Sequence, residues 1–249
     1  MIEAVLFDGD QTLWDFERVM REALTAIADE LRVARPGAFT GGLSWEDLER
    51  DRAVVGEEWE GVEYNLARLR VLGFARTLER LRTAEGGGDD AADEALTLEL
   101  GDSYFAHRDR DPALFPDTVS CLEALRPRYR LGLVSNGSRL PEKVGLDGYF
   151  ESVVFAQDHR VAKPDKGIFE IVERELGVAP SGCVLVGDHP INDVVGAKRA
   201  GWSAVWIDRD GDGSFVEGLV GTKVKPDAVV RSLAELPEAL EVMARSLSG

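Results

Sequence analysis

Apolar side chains recur with two different spacings along the chain, and the change of spacing divides it into two kinds of segment. From about residue 15 to 111 they return every three or four positions, as Val19, Ala23, Ile27 and Leu31 do. This period is typical of amphipathic helices that bury one face. We therefore expect helices with no strand between them. The expected helices lie at about 19–35, from 44 onward, at 62–82 and at 91–106.

Short apolar runs alternate with helical patterns in the rest of the chain. The expected strands begin near residue 4 and continue at 131–135, 152–156, 183–187, 203–207 and 228–230. The expected helices between and after them lie at 117–127, 139–146, 165–177, 192–200 and 235–247. Strands that alternate with helices require right-handed crossovers and a parallel sheet covered on both faces. The predicted fold class is thus α/β, a doubly wound parallel sheet formed by residues 1–14 and 112–249 with an inserted all-helical domain of residues 15–111.

The first apolar run ends on two carboxylates, Asp8 and Asp10, one residue apart. Open α/β sheets place their ligands at the carboxyl ends of strands, where these two acids are expected. Two neighbouring like charges raise each other's pKa values or need a cation between them. The pair therefore indicates either a metal site or a nucleophile beside a general acid. A solvated turn that closes the strand is the alternative.

Three further motifs follow along the chain. Ser135-Asn136-Gly137 ends a second apolar run, Lys163 precedes a helix start, and a third run ends at Asp188 with Asp193 five residues later. A hydroxyl and backbone N–H groups at a helix start suit a phosphate, although Ser and Asn are also common helix caps. The four motifs in this order resemble the haloacid dehalogenase (HAD) superfamily of hydrolases, with its pattern DxDxT, Ser/Thr, Lys and GDxxxxD. The resemblance spans roughly residues 1–14 and 112–249.

The resemblance implies a Mg²⁺-dependent phosphatase with a helical cap of the C1 type. Asp8 is the expected nucleophile, which forms an aspartyl phosphate and holds the metal through one oxygen. Asp10 is expected to protonate the leaving group and then to deprotonate the attacking water, and its backbone carbonyl is expected to bind the metal. Asp188 is expected to complete an oxygen-rich metal site, which favours Mg²⁺ over zinc.

The remaining motif residues are expected around the phosphoryl group. Ser135 and Asn136 are candidate substrate contacts, and Lys163 is the cation expected to neutralise the phosphate and the nucleophile in the transition state. Asp193 is expected behind the metal ligands, where it could orient Lys163 or a metal-bound water. A helix-start acid stabilised by the helix dipole is the alternative interpretation of Asp193.

Other chemistries on the same fold remain as alternatives. Haloacid dehalogenases of this superfamily lack an acid at the position of Asp10, because a halide leaves without a proton, so Asp10 favours phosphoryl chemistry. A phosphomutase would return the phosphoryl group to a sugar instead of water. A non-catalytic binding module would be favoured by the loss of Asp8, Asp10 or Lys163, and all three are present.

Composition narrows the class of partner. The 249-residue chain has a formal net charge of −17, which argues against nucleic acid and anionic membrane surfaces as partners. No apolar stretch approaches the length of a transmembrane helix. The two cysteines, Cys121 and Cys183, lie in apolar patterns and are expected to be reduced core residues. We therefore expect a cytoplasmic enzyme, a monomer or homodimer, whose substrate is a small phosphorylated metabolite such as a sugar phosphate or a nucleoside monophosphate.

Of the properties considered, substrate specificity is the one that the sequence predicts least. Gly9, between the two acids of the first motif, could leave room at the phosphate. Aromatic and arginine side chains near the expected cap are candidate pocket walls, although such residues more often pack in a core or pair with nearby acids. These candidates are Trp14, Phe16, Trp45, Arg18, Arg68 and Arg70.

Overall fold

The structure is a computed structural model that describes residues 1–36, 42–59, 64–87, 90–211 and 224–246. The chain divides into two compact units, one formed by Met1–Asp15 with Leu114–Gly249 and the other by Phe16–Ala113. We call the first the sheet unit and the second the helical unit. Among the described residues, no helix has both the length and the apolar character needed to cross a bilayer.

The helical unit consists of helices, with no strand among its described residues. They are α1 (Phe16–Ala34), α2 (Trp45–Glu58), α3 (Leu66–Ala84) and α4 (Asp90–Arg108). Their apolar faces meet in a core that includes Leu24, Ile27, Phe74, Leu78 and Tyr104. Ser44 is the N-cap of α2, and its backbone N–H donates to the Asp47 carboxylate at 2.9 Å, which stabilises the first turn.

Some sequence predictions in and after this unit fall outside the described residues. These are the start of the third helix near residue 62 and residue 247 at the end of the last helix.

The sheet unit contains a parallel sheet of the predicted kind, so the α/β fold class is confirmed. Its strands are β1 (Ala4–Phe7), β2 (Arg130–Ser135), β3 (Ser152–Phe155), β4 (Cys183–Gly187), β5 (Ser203–Ile207) and β6 (Ala228–Val230). Their order in the sheet is β3-β2-β1-β4-β5-β6, and every neighbouring pair is parallel. The four residues of β1 are buried, as a strand covered on both faces requires.

Helices follow most of these strands. They are α5 (Thr118–Leu125), α6 (Ala156–His159), α7 (Lys166–Leu176), α8 (Gly196–Ala200) and α9 (Leu236–Ser246). The helix predicted at 139–146 is wrong in type, because only a 3₁₀ turn at Pro141–Val144 forms before Gly145, whose φ of 78° ends it. The strand predicted at 152–156 stops at Phe155, since Ala156 already begins α6.

Strand register determines which side chains meet at the carboxyl edge of the sheet. Phe7 of β1 is level with Val186 of β4, and the Asp8 N–H donates to the Val186 carbonyl at 2.9 Å. On the other side of β1, Phe7 is level with Leu133 of β2. The residues that follow β1 and β4, together with the end of β2, therefore gather at one edge, which is where ligands bind in open α/β sheets.

Candidate active site

A buried lysine joins two of the predicted acids. The Lys163 Nζ lies 2.6 Å from Asp8 Oδ1 and 2.7 Å from Asp193 Oδ1. The side chains of Lys163 and Asp193 are each 2% exposed, and that of Asp8 is 11% exposed. A buried ammonium is costly unless it is paired, so these two contacts account for its position. Lys163 therefore contacts Asp8, the predicted nucleophile, directly.

The backbone of Lys163 is held by Asn136. The Asn136 side chain accepts from the Lys163 N–H at 2.8 Å and donates to the Lys163 carbonyl at 2.9 Å. Asn136 was predicted as a substrate contact, and that role stays a prediction, while its observed side-chain contacts are with Lys163. The Asn136 amide bonds to both the N–H and the carbonyl of Lys163. These two hydrogen bonds orient Lys163 and the loop that carries it.

Asp193 lies in a π-helical turn, Pro190–Val195, that precedes α8. Its Oδ1 binds Lys163 and its Oδ2 accepts from the His189 N–H at 2.9 Å. A Cβ placed on Gly187 would come within 2.3 Å of the Asp193 carboxyl carbon, so the end of β4 must be glycine for this carboxylate to fit. Asp193 therefore makes the contact with Lys163 that the sequence suggested for it.

Asp188 lies beside Asp8 at the end of β4 and is half-buried. Its Oδ1 is 3.4 Å from the Thr12 hydroxyl, and its carbonyl accepts from the Trp206 indole N–H at 2.8 Å. Within the described part of the chain, ligand atoms of Asp8, Asp188 and Asp193 all lie within 4.8 Å of one another. The predicted metal ligands Asp8 and Asp188 are therefore neighbours.

Negative charge exceeds positive charge in this cluster. Burial, together with the carboxylates of Asp193 and Asp10, raises the pKa of Asp8 to about 7 despite the opposing effect of Lys163. Burial and the nearby Asp8 and Asp193 raise the pKa of Asp188 to about 8. Burial alone would lower the pKa of Lys163, but the two carboxylates outweigh it and the pKa is raised, so the ammonium stays charged.

The cluster therefore fits a divalent cation. Its donors are hard carboxylate oxygens, which Mg²⁺ prefers. One ammonium beside several carboxylates leaves an excess of negative charge when those carboxylates ionise. A 2+ ion would offset that excess. The pKa values of Asp8 and Asp188 are raised first by burial and then by the neighbouring carboxylates, so the charged forms of both acids are costly unless a cation binds them.

Asp10 and Ser135 lie next to each other on the β2 side of this cluster. The Trp14 indole N–H donates to Asp10 Oδ1 at 2.6 Å. A Cβ built on Gly137 would lie 2.6 Å from Asp10 Oδ2 and 3.3 Å from the Ser135 hydroxyl, which locates both groups around Gly137. The Ser135 hydroxyl is buried and accepts from the Gly137 N–H at 3.0 Å. Ser135 thus closes a short turn and does not cap a helix, which was the alternative to phosphate binding, since residues 136–140 are not helical. It remains beside Asp10.

Two features of the first turn were not identified from the sequence. Trp14 is fully buried on Asp10, so its interpretation as a pocket wall is wrong. Arg209 donates to the Thr12 carbonyl at 2.7 Å while its guanidinium pairs with Asp117 and stacks 3.7 Å over the Phe115 ring. A lone tryptophan or arginine carries no local pattern that would have revealed either contact.

Other sequence candidates lie in different surroundings. Arg70 is buried in the helical unit, where it pairs with Glu49 at 2.8 Å and lies over the Tyr104 ring. Arg18 pairs with Glu22 and Asp111 at the surface. Both are therefore accounted for by packing and charge pairing.

The remaining candidates behave similarly. Arg68 lies over the Trp59 ring and Arg21 over the Trp45 ring.

Cys121 and Cys183 are buried free thiols, and burial raises the pKa of each to about 12, which makes them unreactive.

Comparison with protein families gives a match over most of the chain. The profile of the haloacid dehalogenase-like hydrolases matches residues 2–201. The chain is 29% identical over 240 residues to 5-amino-6-(5-phospho-D-ribitylamino)uracil phosphatase YigB of Escherichia coli, covering 94% of each chain. It is 34% identical over 223 residues to glyceraldehyde 3-phosphate phosphatase of Methanothermobacter thermautotrophicus, covering 84% of this chain and 87% of that one.

Solved structures include relatives with a different named chemistry. The crystal structure of 2-haloacid dehalogenase from Pseudomonas syringae pv. tomato matches with a TM-score of 0.80 and 30% identity. That match covers 98% of this chain and 100% of the other. Both phosphatases and a dehalogenase are thus similar to this chain over nearly its full length.

Proposed function

Since the chain belongs to the haloacid dehalogenase-like hydrolases, we propose that it is a Mg²⁺-dependent phosphatase that hydrolyses a small phosphomonoester through an aspartyl-phosphate intermediate. Relatives that are named phosphatases support this choice within the family. The observation that carries it is the pairing of Asp8 with Lys163 at 2.6 Å while a second acid, Asp10, lies two residues along the chain. This arrangement supplies a nucleophile, a cation and a proton donor to one phosphoryl group.

In the first step, a carboxylate oxygen of Asp8 bonds to phosphorus as the bond from phosphorus to the ester oxygen breaks. The proton of the Asp10 carboxyl passes to the departing oxygen, so an alcohol leaves instead of an alkoxide. Lys163, held by Asn136 and Asp193, keeps a positive charge beside the atoms where negative charge develops.

In the second step, Asp10 accepts a proton from a water molecule as the water oxygen bonds to phosphorus. The bond between Asp8 and phosphorus breaks, and inorganic phosphate is released with the Asp8 carboxylate and the protonated Asp10 carboxyl group restored. Microscopic reversibility requires the group that donated the proton in the first step to accept it in the second. The same two acids therefore serve both half-reactions.

Asp8, Asp188 and the backbone carbonyl of Asp10 are the proposed Mg²⁺ ligands. When bound, the ion would offset the charge of the nucleophile and of the phosphate dianion. The crowding of Asp8, Asp188 and Asp193 and their unmatched negative charge support this assignment. Asp193 engages Lys163 and the His189 N–H, so we assign it to orienting the lysine.

Dehalogenation is the second candidate, because the solved 2-haloacid dehalogenase is similar over the whole chain. The two chemistries differ in their need for a proton. A halide leaves unprotonated, whereas the alkoxide of an ordinary phosphate ester needs an acid. The Asp10 carboxylate beside Ser135 and Gly137 supplies that acid, and for this reason we favour phosphate ester hydrolysis.

Parallel assays of the two chemistries test the proposal. We expect release of phosphate from an aryl phosphate with Mg²⁺, loss of that activity in EDTA, and no chloride from 2-chloropropionate. Chloride release without phosphate release would overturn the proposed chemistry. Undiminished phosphate release in EDTA would remove the metal from it. Transfer of the phosphoryl group to a sugar, with slow hydrolysis, would identify a phosphomutase instead.

The substrate is proposed to be a sugar phosphate or a nucleoside monophosphate, with the helical unit acting as the cap that determines specificity. The phosphorylated small molecules in the names of the related phosphatases support this substrate class. A panel of phosphorylated metabolites assayed with the full chain would identify the preferred one. Equal activity on every ester in the panel would contradict a role of the helical unit in selection.

A further inference from the structure

We propose that Trp14 is a positioning residue that fixes the orientation of the Asp10 carboxyl group through its indole N–H. The inference rests on the proposed function, in which Asp10 is the general acid. Neither the family match nor the predicted motif assigns a role to this tryptophan. Gly9 and Trp14 form a matched pair in this proposal, because glycine at position 9 gives the indole room to reach Asp10.

A closed turn holds the indole in place. The Gly9 carbonyl accepts from the Leu13 N–H at 2.8 Å, and the Gln11 N–H donates to the Trp14 carbonyl at 2.8 Å. The turn returns the chain over its own beginning, so that residue 14 lies beside residues 9 and 10. The Trp14 side chain has no exposed surface, and its N–H donates to Asp10 Oδ1 at 2.6 Å. A buried indole N–H needs an acceptor, and here that acceptor is the proposed catalytic acid.

Gly9 is required by the ring and not by the backbone. A Cβ at position 9 would lie 2.4 Å from Cζ2 and 2.6 Å from Cη2 of the Trp14 ring. Gly9 does not have a positive φ, so an L-residue could adopt the same backbone conformation. Only the close approach of the indole therefore excludes a side chain there. This explains the glycine between the two acids, which the sequence alone could have assigned to room for phosphate.

The hydrogen bond determines how the Asp10 carboxyl group is turned, because Oδ1 faces the indole N–H. Oδ2 is the oxygen beside Gly137 and the Ser135 hydroxyl, at the end of β2 where the phosphoryl group is expected. An indole N–H does not titrate, and it therefore orients the acid in the same way in both half-reactions.

The alternative is that Trp14 is only a core residue whose N–H happens to be satisfied by Asp10. The two explanations differ in their dependence on the leaving group. A misplaced general acid slows the departure of a basic alkoxide far more than that of 4-nitrophenolate, which leaves without much help. A general loss of packing slows both reactions alike.

Trp14→Phe keeps a ring and removes the N–H. We expect kcat for an alkyl phosphate to fall by about 10- to 100-fold, part of the 10²–10⁴ that a general acid contributes, while KM stays within about twofold. For 4-nitrophenyl phosphate we expect a fall of about threefold or less. Equal losses for the two esters, or no loss for either, would overturn the proposal.

Trp202→Phe is the matched control. Trp202 is also buried, and its N–H donates to the Glu173 carboxylate at 2.8 Å in the same sheet unit, away from the candidate site. It loses the same kind of hydrogen bond, so we expect lower thermal stability with an unchanged ratio of the two kcat values. A changed ratio in this control would show that the ratio responds to stability and not to Asp10.

Gly9→Ala tests the pair from the other side, because its methyl group displaces the ring. We expect the same loss of alkyl phosphate activity, and we expect Gly9→Ala with Trp14→Phe to cost less than the product of the two single effects. If the loss in the double variant equals the product of the two single losses, Gly9 and Trp14 do not act through a shared contact.

The hydrogen bond between Trp14 and Asp10 can also be tested by NMR, without measuring activity. With ¹⁵N-labelled tryptophan, one of the five indole N–H resonances should move in Asp10→Asn, and the same one should be missing in Trp14→Phe. No movement in Asp10→Asn would refute the hydrogen bond. If Asp10→Asn shows the leaving-group effect and Trp14→Phe does not, this inference fails while the proposed function stands. If the wild type hydrolyses neither ester, the proposed function itself fails.

Discussion

The helical unit and the sheet unit both bury carboxylates, and the two sets differ in the cations that they face. In the helical unit, Asp51 accepts from Arg80 at 2.8 Å and from the Thr77 hydroxyl at 2.8 Å. Glu49 faces both Arg70 and Arg52. Burial would raise the pKa of Glu49, yet the two arginines outweigh burial and the pKa is lowered.

The sheet unit contrasts with this balance. Lys163 is shared between Asp8 and Asp193, and Asp188 lies beside them. The pKa values of Asp8 and Asp188 are raised instead of lowered. Matched pairs stabilise a fold, whereas unmatched buried acids destabilise it until a ligand supplies the missing charge. The difference therefore separates structural ion pairs from a candidate site.

The largest expected effect comes from replacing the nucleophile. Asp8→Asn should lower kcat for an aryl phosphate by at least about 1,000-fold, because an amide oxygen cannot form the acyl phosphate. It should leave thermal stability near that of the wild type, since it also removes one of the crowded charges. Turnover and a melting curve measure the two quantities. Retention of more than a few per cent of the rate would contradict the covalent mechanism.

The second prediction concerns pH and metal. The folded-state pKa values of Asp8 and Asp188, about 7 and about 8, lie above the ordinary value of 3.8. The stability that these groups contribute is therefore complete below pH 3.8 and is lost as pH rises through about 7 to 8. Without metal, we expect the unfolding free energy to fall by several kcal/mol, at most about 7, between about pH 5 and 9.

Added Mg²⁺ sharpens this test, because it binds the ionised carboxylates. Its stabilising effect should be larger at pH 9 than at pH 5, as measured by denaturant unfolding at each pH. Asp188→Asn is the control, and it should flatten the pH dependence. A greater Mg²⁺ effect at acidic pH would be inconsistent with the proposed ligands.

The third prediction breaks a balanced pair in the helical unit. Asp51→Asn removes the charge that faces Arg80 and weakens the acceptor of the fully buried Thr77 hydroxyl. We expect the unfolding free energy to fall by about 2 kcal/mol, with little change in aryl phosphate hydrolysis. A loss of activity as large as that of Asp8→Asn would show that this network belongs to the catalytic machinery.

The smallest expected effect concerns an exposed pair in the same unit. Arg68 lies 5.1 Å over the ring of Trp59, which is 43% exposed. Arg68→Ala should change the unfolding free energy by less than about 1 kcal/mol, because an exposed cation–π pair contributes little. If the helical unit selects the substrate, the variant should raise KM for the preferred metabolite several-fold and leave aryl phosphate hydrolysis unchanged. An unaltered ranking of metabolites would remove Arg68 from that role.

Much of the fold was determined by the order of polar and apolar residues. The strands β4, β5 and β6 have the predicted bounds, and β2 begins one residue earlier than predicted. A strand buried on both faces must be apolar throughout, so its ends are visible where the first polar residue follows. For the same reason Asp8 and Asp188 could be located at the carboxyl ends of β1 and β4 from the sequence alone.

Other features depended on contacts between residues far apart in the chain. The Asn136 side chain pairs with Lys163, 27 residues away, and Arg209 reaches Thr12. A local pattern states which chemical groups are available but not which partner each one finds. The sequence therefore did not predict that Asn136 contacts the backbone of Lys163 or that the Trp14 indole contacts Asp10.

The sequence by itself determined the layered α/β fold, the helical insertion and the types of residue at the strand ends, because periodicity and strand length are local properties. The tertiary structure alone decided that Lys163 faces Asp8 and Asp193, that the Trp14 indole lies against Gly9 and Asp10, and that the acids outnumber their cations. Charge balance and hydrogen-bond direction depend on distances and burial, and these quantities exist only once the strands lie side by side.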